Sequence, residues 1–241
     1  VTLLVATDLV RRFRGLAAVD GLSFEAREGE VMAIIGPNGA GKTTLFNLLS
    51  GLLAANEGRI EFDGADITRS RPHRRCHRGL GRTFQLVQPF ADLTVRENVM
   101  VGALFGGTGA GSVQAKAEAT ILCDRVGLGP KRDAPVSSLT VADRKRLELA
   151  RALATRPRLL LLDEIMEGLT PSEERDAVRL LREIQAQGVT LLLIEHIMST
   201  VRDLSDRVLV MDYGKKIAEG DYATVSRDPA VIEAYLGTDE P

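Results

Sequence analysis

The chain has 241 residues, 44% of them hydrophobic and 27% charged, which is enough for one large domain or two small ones with a sizeable core. Its 31 basic and 33 acidic residues leave a formal charge of −2, so no whole-chain attraction to nucleic acid or to an anionic membrane is implied. No apolar run approaches the roughly 18 residues of a membrane span, no charged-then-apolar leader is seen, and Cys76 and Cys123 lack CxxC or metal spacing, so a chain that is neither integral nor secreted and sits in a reducing compartment is expected.

Strand-like segments at Leu3 to Val10, Leu22 to Ala26 and Val31 to Ile35 are separated by Gly15, Gly21 and Gly29. Residues 36–44 then read GPNGAGKTT, followed by a helix-like Leu45 to Leu49. Glycines at 36, 39 and 41 let the chain turn tightly and bring backbone N–H groups close to an anion. A helix starting near Lys42 points its partial positive charge at the same place. Lys42 supplies a full charge for the β- and γ-phosphates, and Thr43 offers a hydroxyl to a magnesium ion bridging them. The segment predicts a phosphate-binding loop for a nucleoside triphosphate with Mg²⁺, with Asn38, Gly39, Ala40, Gly41, Lys42, Thr43 and Thr44 as the nucleotide contacts.

Gly58 to Gly64 encloses a short alternating strand, and Arg69, Arg71, Arg74, Arg75, Arg78 and Arg82 form a basic run that suits a solvated face. From Val95 to about Ala154 the period is mostly helical, broken by a glycine-rich loop over 106–111. Strand and helix alternate again from Pro157: a strand at Arg158 to Leu162, a helix at Ser172 to Gln187 and a strand at Val189 to Ile194. Continuous apolar strands between helices predict a parallel sheet covered on both faces, so the helical stretch reads as an insertion into an α/β nucleotide-binding core.

Leu159 to Leu162 runs into Asp163 and Glu164. Carboxylates at the C-terminal end of such a strand face the crevice where open α/β sheets bind ligands. Asp163 is suited to hold Mg²⁺ through water, and Glu164 to polarise the water that attacks the γ-phosphate.

With these motifs in this order, the chain resembles the nucleotide-binding subunits of ATP-binding-cassette (ABC) transporters over nearly all of its length. The resemblance implies ATP as the nucleotide. It also implies a single ABC ATPase domain over 1–241: a phosphate-loop core at 1–84 and 157–241 with a mainly parallel sheet and an antiparallel β subdomain, and an inserted helical, signature-bearing subdomain at 85–156. Arg82-Thr83-Phe84-Gln85 is similar to the family's Gln-containing loop, which implies that Gln85 touches Mg²⁺ and the attacking water. His196, after the strand Leu191 to Ile194, is similar to the switch histidine, a γ-phosphate contact that orients water with Glu164. Phe13 resembles the aromatic that stacks on adenine, with Val19 as an apolar neighbour.

Two segments depart from the family's usual wording. The signature, usually LSGGQ, reads Leu139-Thr140-Val141-Ala142-Asp143. Thr140 and Asp143 can form a capping box, and the helix N-terminus, with Thr140 and Ala142 as contacts, can face the γ-phosphate bound by another subunit. Val141 and Ala142 add bulk there, and Asp143 adds a charge of the wrong sign, offset in part by Arg144-Lys145-Arg146. The dimer-contact loop, Met166 to Pro171, carries Thr170 where the family usually has Asp.

The wording GLTP, Glu195-His196-Ile197-Met198 and the ending Val231 to Gly237 resemble most closely the ATPases of branched-chain amino-acid importers. This implies ATP hydrolysis coupled to uptake through separate membrane permease subunits, a second ATPase subunit forming a heterodimer with the homodimer left open, and a solute-binding protein as indirect partner. No nucleic acid is expected. The chain would lie peripherally on the cytoplasmic face of the inner membrane, with the basic run meeting the permease or lipid headgroups. ATPases for urea or amide uptake or for lipopolysaccharide export, a soluble non-transport ABC protein and a nucleotide-binding regulator without turnover are the alternatives.

Overall fold

A computed structural model describes residues 1–85, 88–106 and 111–236, the side chain of Leu236 excepted. Most of the expected glycine-rich loop, 107–110, and the final Gly237 of the ending motif therefore lie outside the described residues. In chain order the elements are β1 (Thr2–Phe13), β2 (Leu16–Arg27), β3 (Val31–Ile35), α1 (Lys42–Ser50), β4 (Glu57–Phe62), β5 (Ala65–Asp66), α2 (Pro72–His77), β6 (Leu80–Arg82), α3 (Val95–Phe105), α4 (Ser112–Arg125), α5 (Val141–Ala154), β7 (Leu159–Asp163), α6 (Pro171–Ala186), β8 (Thr190–Ile194), α7 (Met198–Leu204), β9 (Arg207–Asp212), β10 (Lys215–Gly220), α8 (Tyr222–Val225) and α9 (Pro229–Leu236). Short 3₁₀ turns cover Gly129–Lys131 and Val136–Ser138. Two compact units share these elements: Val1–Pro72 with Ile184–Pro241, and His73–Glu183.

The first unit contains an antiparallel sheet in the order β2-β1-β4-β5. Arg14 and Gly15, at φ 47° and 93°, close the β1–β2 hairpin between the paired Phe13 and Leu16. Two positive φ values match the right-handed twist of the flanking strands. The same unit holds the strands β10-β9-β3-β8, in which β3 pairs parallel with both β8 and β9 while β10 runs antiparallel to β9. Every residue of β3 and of β8 is buried. That explains why these strands, apart from Thr190 at the head of β8, read as apolar runs rather than as alternation.

In the second unit β6 and β7 pair in parallel, with Arg82 opposite Leu161. Helices α3, α4 and α5 form the helical part. α3 starts on a capping box, in which Glu97 N–H donates to Thr94 Oγ1 at 3.3 Å and Thr94 N–H donates to Glu97 Oε2 at 2.8 Å. The buried Asn98 side chain donates to the carbonyls of Phe90 (3.1 Å) and Thr94 (2.9 Å), which fastens the segment ahead of α3 to the helix.

Candidate active site

The phosphate loop follows β3 directly, and its shape requires two of its glycines. A Cβ on Gly36 would lie 2.0 Å from Met211 O, and one on Gly41 2.0 Å from Ala18 O. Both residues also have φ in the left-handed half of the map, 150° and 99°. Gly41 is the N-cap of α1 and brings no capping side chain, so backbone N–H groups and the helix dipole form the N-terminal surface. Lys42, only 6% exposed, turns back over the loop and donates from Nζ to the carbonyls of Gly36 (2.7 Å) and Pro37 (2.9 Å). Asn38, Gly39 and Thr43 are exposed, Thr44 is half-buried and Ala40 is buried. Backbone donors, one ammonium and a hydroxyl thus converge on a surface suited to a polyphosphate.

Strand register places His196 beside this loop. Ile34 of β3 pairs with Ile194 of β8 in parallel, so Gly36 and His196 each lie two residues past that pair. The imidazole is exposed, whereas the neighbouring Glu195 is 2% exposed. Phe13 is 42% exposed at the hairpin tip, with the Arg11 guanidinium 4.6 Å from the ring centroid. Val19 is fully buried, and Ala18 beside it is the residue whose carbonyl crowds Gly41. Phe13 therefore offers a ring face, while Val19 acts as packing.

The second unit carries the acidic cluster, and parallel register again accounts for it. Arg82 lies opposite Leu161, so Gln85, three residues on, falls level with Glu164, and Gln85 Nε2 donates to Glu164 Oε2 at 2.5 Å. Asp163 ends β7 at 2% exposure. Arg82 Nη2 donates to its Oδ2 at 3.1 Å, and its own N–H donates to Thr83 Oγ1 at 3.2 Å. Burial lowers the proton affinity of the Arg82 guanidinium, while the Asp163 carboxylate works the other way. Glu164 adopts φ 49°, an uncommon conformation for a residue with a Cβ. Lys145 Nζ of α5 donates to the Glu164 carbonyl at 2.6 Å, a tie that no sequence motif announced.

The signature segment forms the capping box that its residues predict. Asp143 N–H donates to Thr140 Oγ1 at 3.2 Å, and Thr140 N–H donates to Asp143 Oδ2 at 3.1 Å. The electrostatic expectation needs correction. Asp143 is 5% exposed and turned inward, and its charge is met by Lys131 Nζ at 2.5 Å, not by the following basic triplet. Burial pushes the Asp143 carboxyl up, but the Lys131 and Thr140 bonds together outweigh it and hold the group below the usual carboxylate range. Val141, 60% exposed, and Ala142, 8% exposed, follow the exposed Thr140 in the first turn. Thr170 caps α6: its hydroxyl and its N–H each donate to Glu173 Oε2 at 2.8 Å.

The basic run is not uniformly solvated. Arg75 is 1% exposed and Arg82 is bound to Asp163, whereas Arg69, Arg71, Arg74 and Arg78 are exposed. Among the described residues no group of three or more His, Cys, Asp or Glu side chains could hold a metal by itself. The Thr43 hydroxyl in the first unit and the Asp163 carboxylate in the second are each oxygen donors of the hard kind that Mg²⁺ accepts.

A glycine-built loop between a buried parallel strand and a helix, together with a strand-end carboxylate pair, defines a phosphate-loop nucleotide-binding protein. The sequence profile of the ABC transporter family matches residues 19–167, and that of the branched-chain amino acid ATP-binding cassette transporter matches residues 215–241. The chain is 37% identical, over 98% of both sequences, to the high-affinity branched-chain amino acid transport ATP-binding protein LivG of Salmonella typhimurium. It is 36% identical, over the same shares, to its counterpart BraF of Pseudomonas aeruginosa. Among solved structures it is similar to a nucleotide-free ATP-binding cassette from an ABC transporter, with TM-score 0.89 and 33% identity over 98% of this chain and 100% of the other. A second similar structure is an ABC transporter cassette in its ADP conformation, with TM-score 0.88 and 33% identity over 98% and 99% of the two chains. The chain belongs to the ABC transporter family, as an ATP-binding, ATP-hydrolysing subunit. Membership implies membrane permease partners and pairing with a second ATPase. Among the described residues no helix is long and apolar enough to cross a membrane.

Proposed function

We propose that this chain drives import of branched-chain amino acids, or of closely similar apolar amino acids, by hydrolysing ATP at the cytoplasmic face of a membrane permease. The observation that carries the reading is similarity over 98% of both sequences to LivG, described as a high-affinity branched-chain amino acid transport protein. The match of residues 215–241 to the branched-chain cassette profile supports it independently of the catalytic motifs. A solute-binding protein outside the cytoplasm would deliver the amino acid to the permease. The whole chain would act as one ATPase domain.

The roles are proposed residue by residue. Lys42 and the N–H groups of Asn38 to Thr44 hold the phosphates, and Phe13 stacks on adenine above a hairpin packed by Val19. Glu164 takes the proton of the attacking water, Gln85 sets the carboxylate, and His196 contacts the γ-phosphate. Thr43, Asp163 and Gln85 are assigned to Mg²⁺, which when bound neutralises charge on the β- and γ-phosphates. Thr140 and Ala142 serve the site of the paired ATPase, which we propose to be a different chain because Val141 stands where the family usually keeps glycine. Reconstitution with the permease and binding protein into vesicles tests the reading. ATP-dependent accumulation of leucine, isoleucine or valine is expected, and accumulation of urea or amides instead would replace it.

A further inference from the structure

One face of α5 reaches the acidic cluster at several points. Lys145 Nζ donates to the carbonyl of Glu164 at 2.6 Å. One turn further on, Glu148, 6% exposed, accepts the N–H of Phe84, the residue before Gln85, and accepts Arg151 Nη1 at 2.9 Å. Arg151 Nη1 also donates to Gln88 O at 3.1 Å, and its guanidinium lies 5.1 Å from the centroid of the Phe90 ring. Residues 145, 148 and 151 recur at helical spacing, so a single helix face holds Glu164 and both flanks of the segment carrying Gln85.

We infer that Lys145 is a positioning residue: it fixes the main chain of Glu164 while Gln85 fixes its carboxylate, so that the signature helix sets the aim of the base. Three observations converge. Glu164 has φ 49°, a conformation that persists only where surrounding groups over-determine it. Its two ends are held by donors from different elements, Lys145 on the peptide carbonyl and Gln85 Nε2 on Oε2 at 2.5 Å. Lys145 lies one helical turn beyond Val141, at the end of α5 proposed to serve the other subunit's nucleotide. An event at that end therefore has a short covalent and hydrogen-bonded route to the base of this subunit's own half-site. Freeing the carbonyl would let the peptide rotate and swing the carboxylate, and small misplacements of a general base cost rate rather than substrate affinity.

The inference rests on Glu164 being the general base, and the test separates the two. Steady-state ATPase activity of the assembled transporter is measured for Lys145→Met, Lys145→Arg, Glu164→Gln and the double variant Lys145→Met/Glu164→Gln. Lys145→Met should lower kcat by about tenfold or more with the KM for ATP within about twofold, as expected for a group that acts only at the chemical step. Lys145→Arg should recover at least half of the lost turnover, because a guanidinium can donate to the same carbonyl. The double variant should be no slower than Glu164→Gln alone, because both substitutions disable one device. Near-parental kcat in Lys145→Met overturns the inference. So does a parallel rise in KM, or a loss that Arg does not recover, either of which marks a merely structural lysine. Near-parental turnover in Glu164→Gln overturns the base assignment itself, whatever Lys145→Met shows.

Discussion

Lys131 Nζ and Asp143 Oδ2 lie 2.5 Å apart, tying the 3₁₀ turn at Gly129–Lys131 to the first turn of the signature helix. The pair turns an apparent defect of the signature into a structural device, because the one carboxylate in LTVAD is consumed by its own subunit. Asp143 is held below the usual carboxylate range, so its stabilising contribution is fully present above the unfolded value and is lost as pH falls through the folded one. Lys131→Met should therefore destabilise the chain by about 1 kcal/mol or less near neutral pH, a modest figure because the Lys131 side chain is 45% exposed. Urea unfolding should show this deficit at neutral pH and its disappearance in acid. A deficit that does not depend on pH would show that the lysine acts through packing.

The first turn of α5 also carries Val141, 60% exposed at a helix end proposed to meet phosphate. With Asp143 neutralised, side-chain bulk is the remaining obstacle there. Val141→Gly should raise transporter turnover by about two- to fivefold, corresponding to about 0.4–1 kcal/mol of activation free energy. A fall in turnover with unchanged ATP affinity would show that Val141 makes a productive contact.

Phe13 presents its ring at the tip of the β1–β2 hairpin and packs on Arg11 rather than in the core. Phe13→Ala should weaken ATP binding by about 1 kcal/mol, the usual scale of an aromatic stacking contact. The melting temperature without nucleotide should hardly move. Calorimetry and a thermal melt separate the outcomes, since a large drop in melting temperature at constant affinity would make Phe13 a structural residue.

Cys123 is fully buried, and its thiol is pushed up to about 11 by burial first and by the Asp124 charge second. Near pH 8 well under about 1% would be thiolate, the reactive form. Mass spectrometry after maleimide treatment should find Cys123 unmodified in the native chain and modified in denaturant. Rapid native labelling would mean that the helical part opens readily.

Much of the architecture was legible because each device has a local signature. The apolar runs at Val31 to Ile35 and Leu159 to Leu162 became buried parallel strands, as did the run ending at Ile194, whose strand starts at Thr190 rather than at Val189, and GPNGAGKTT became the strand–loop–helix that its glycines require. The capping box at Thr140 and Asp143 was equally readable, since both partners lie within one turn. The groups that meet those residues from elsewhere were not. Lys131 reaches Asp143 across twelve positions, Lys145 reaches Glu164 across nineteen, and Arg82 reaches Asp163 across eighty-one. A cation in a sequence carries no mark of the carboxylate or carbonyl that it will meet, whereas a parallel register, once known, puts Gln85 level with Glu164.

The most direct test of the account is ATP turnover by the assembled transporter carrying Glu164→Gln, with nucleotide binding measured on the same sample. Glu164, held by Gln85 and Lys145, is the only group to which the account gives the proton of the attacking water. Its loss should cut hydrolysis by at least about a hundredfold, the scale of a missing general base, while leaving ATP affinity within about twofold. Lys42→Ala should do the reverse first, weakening binding itself by removing a charge from the phosphates. Turnover by Glu164→Gln within about twofold of the parent would contradict the account.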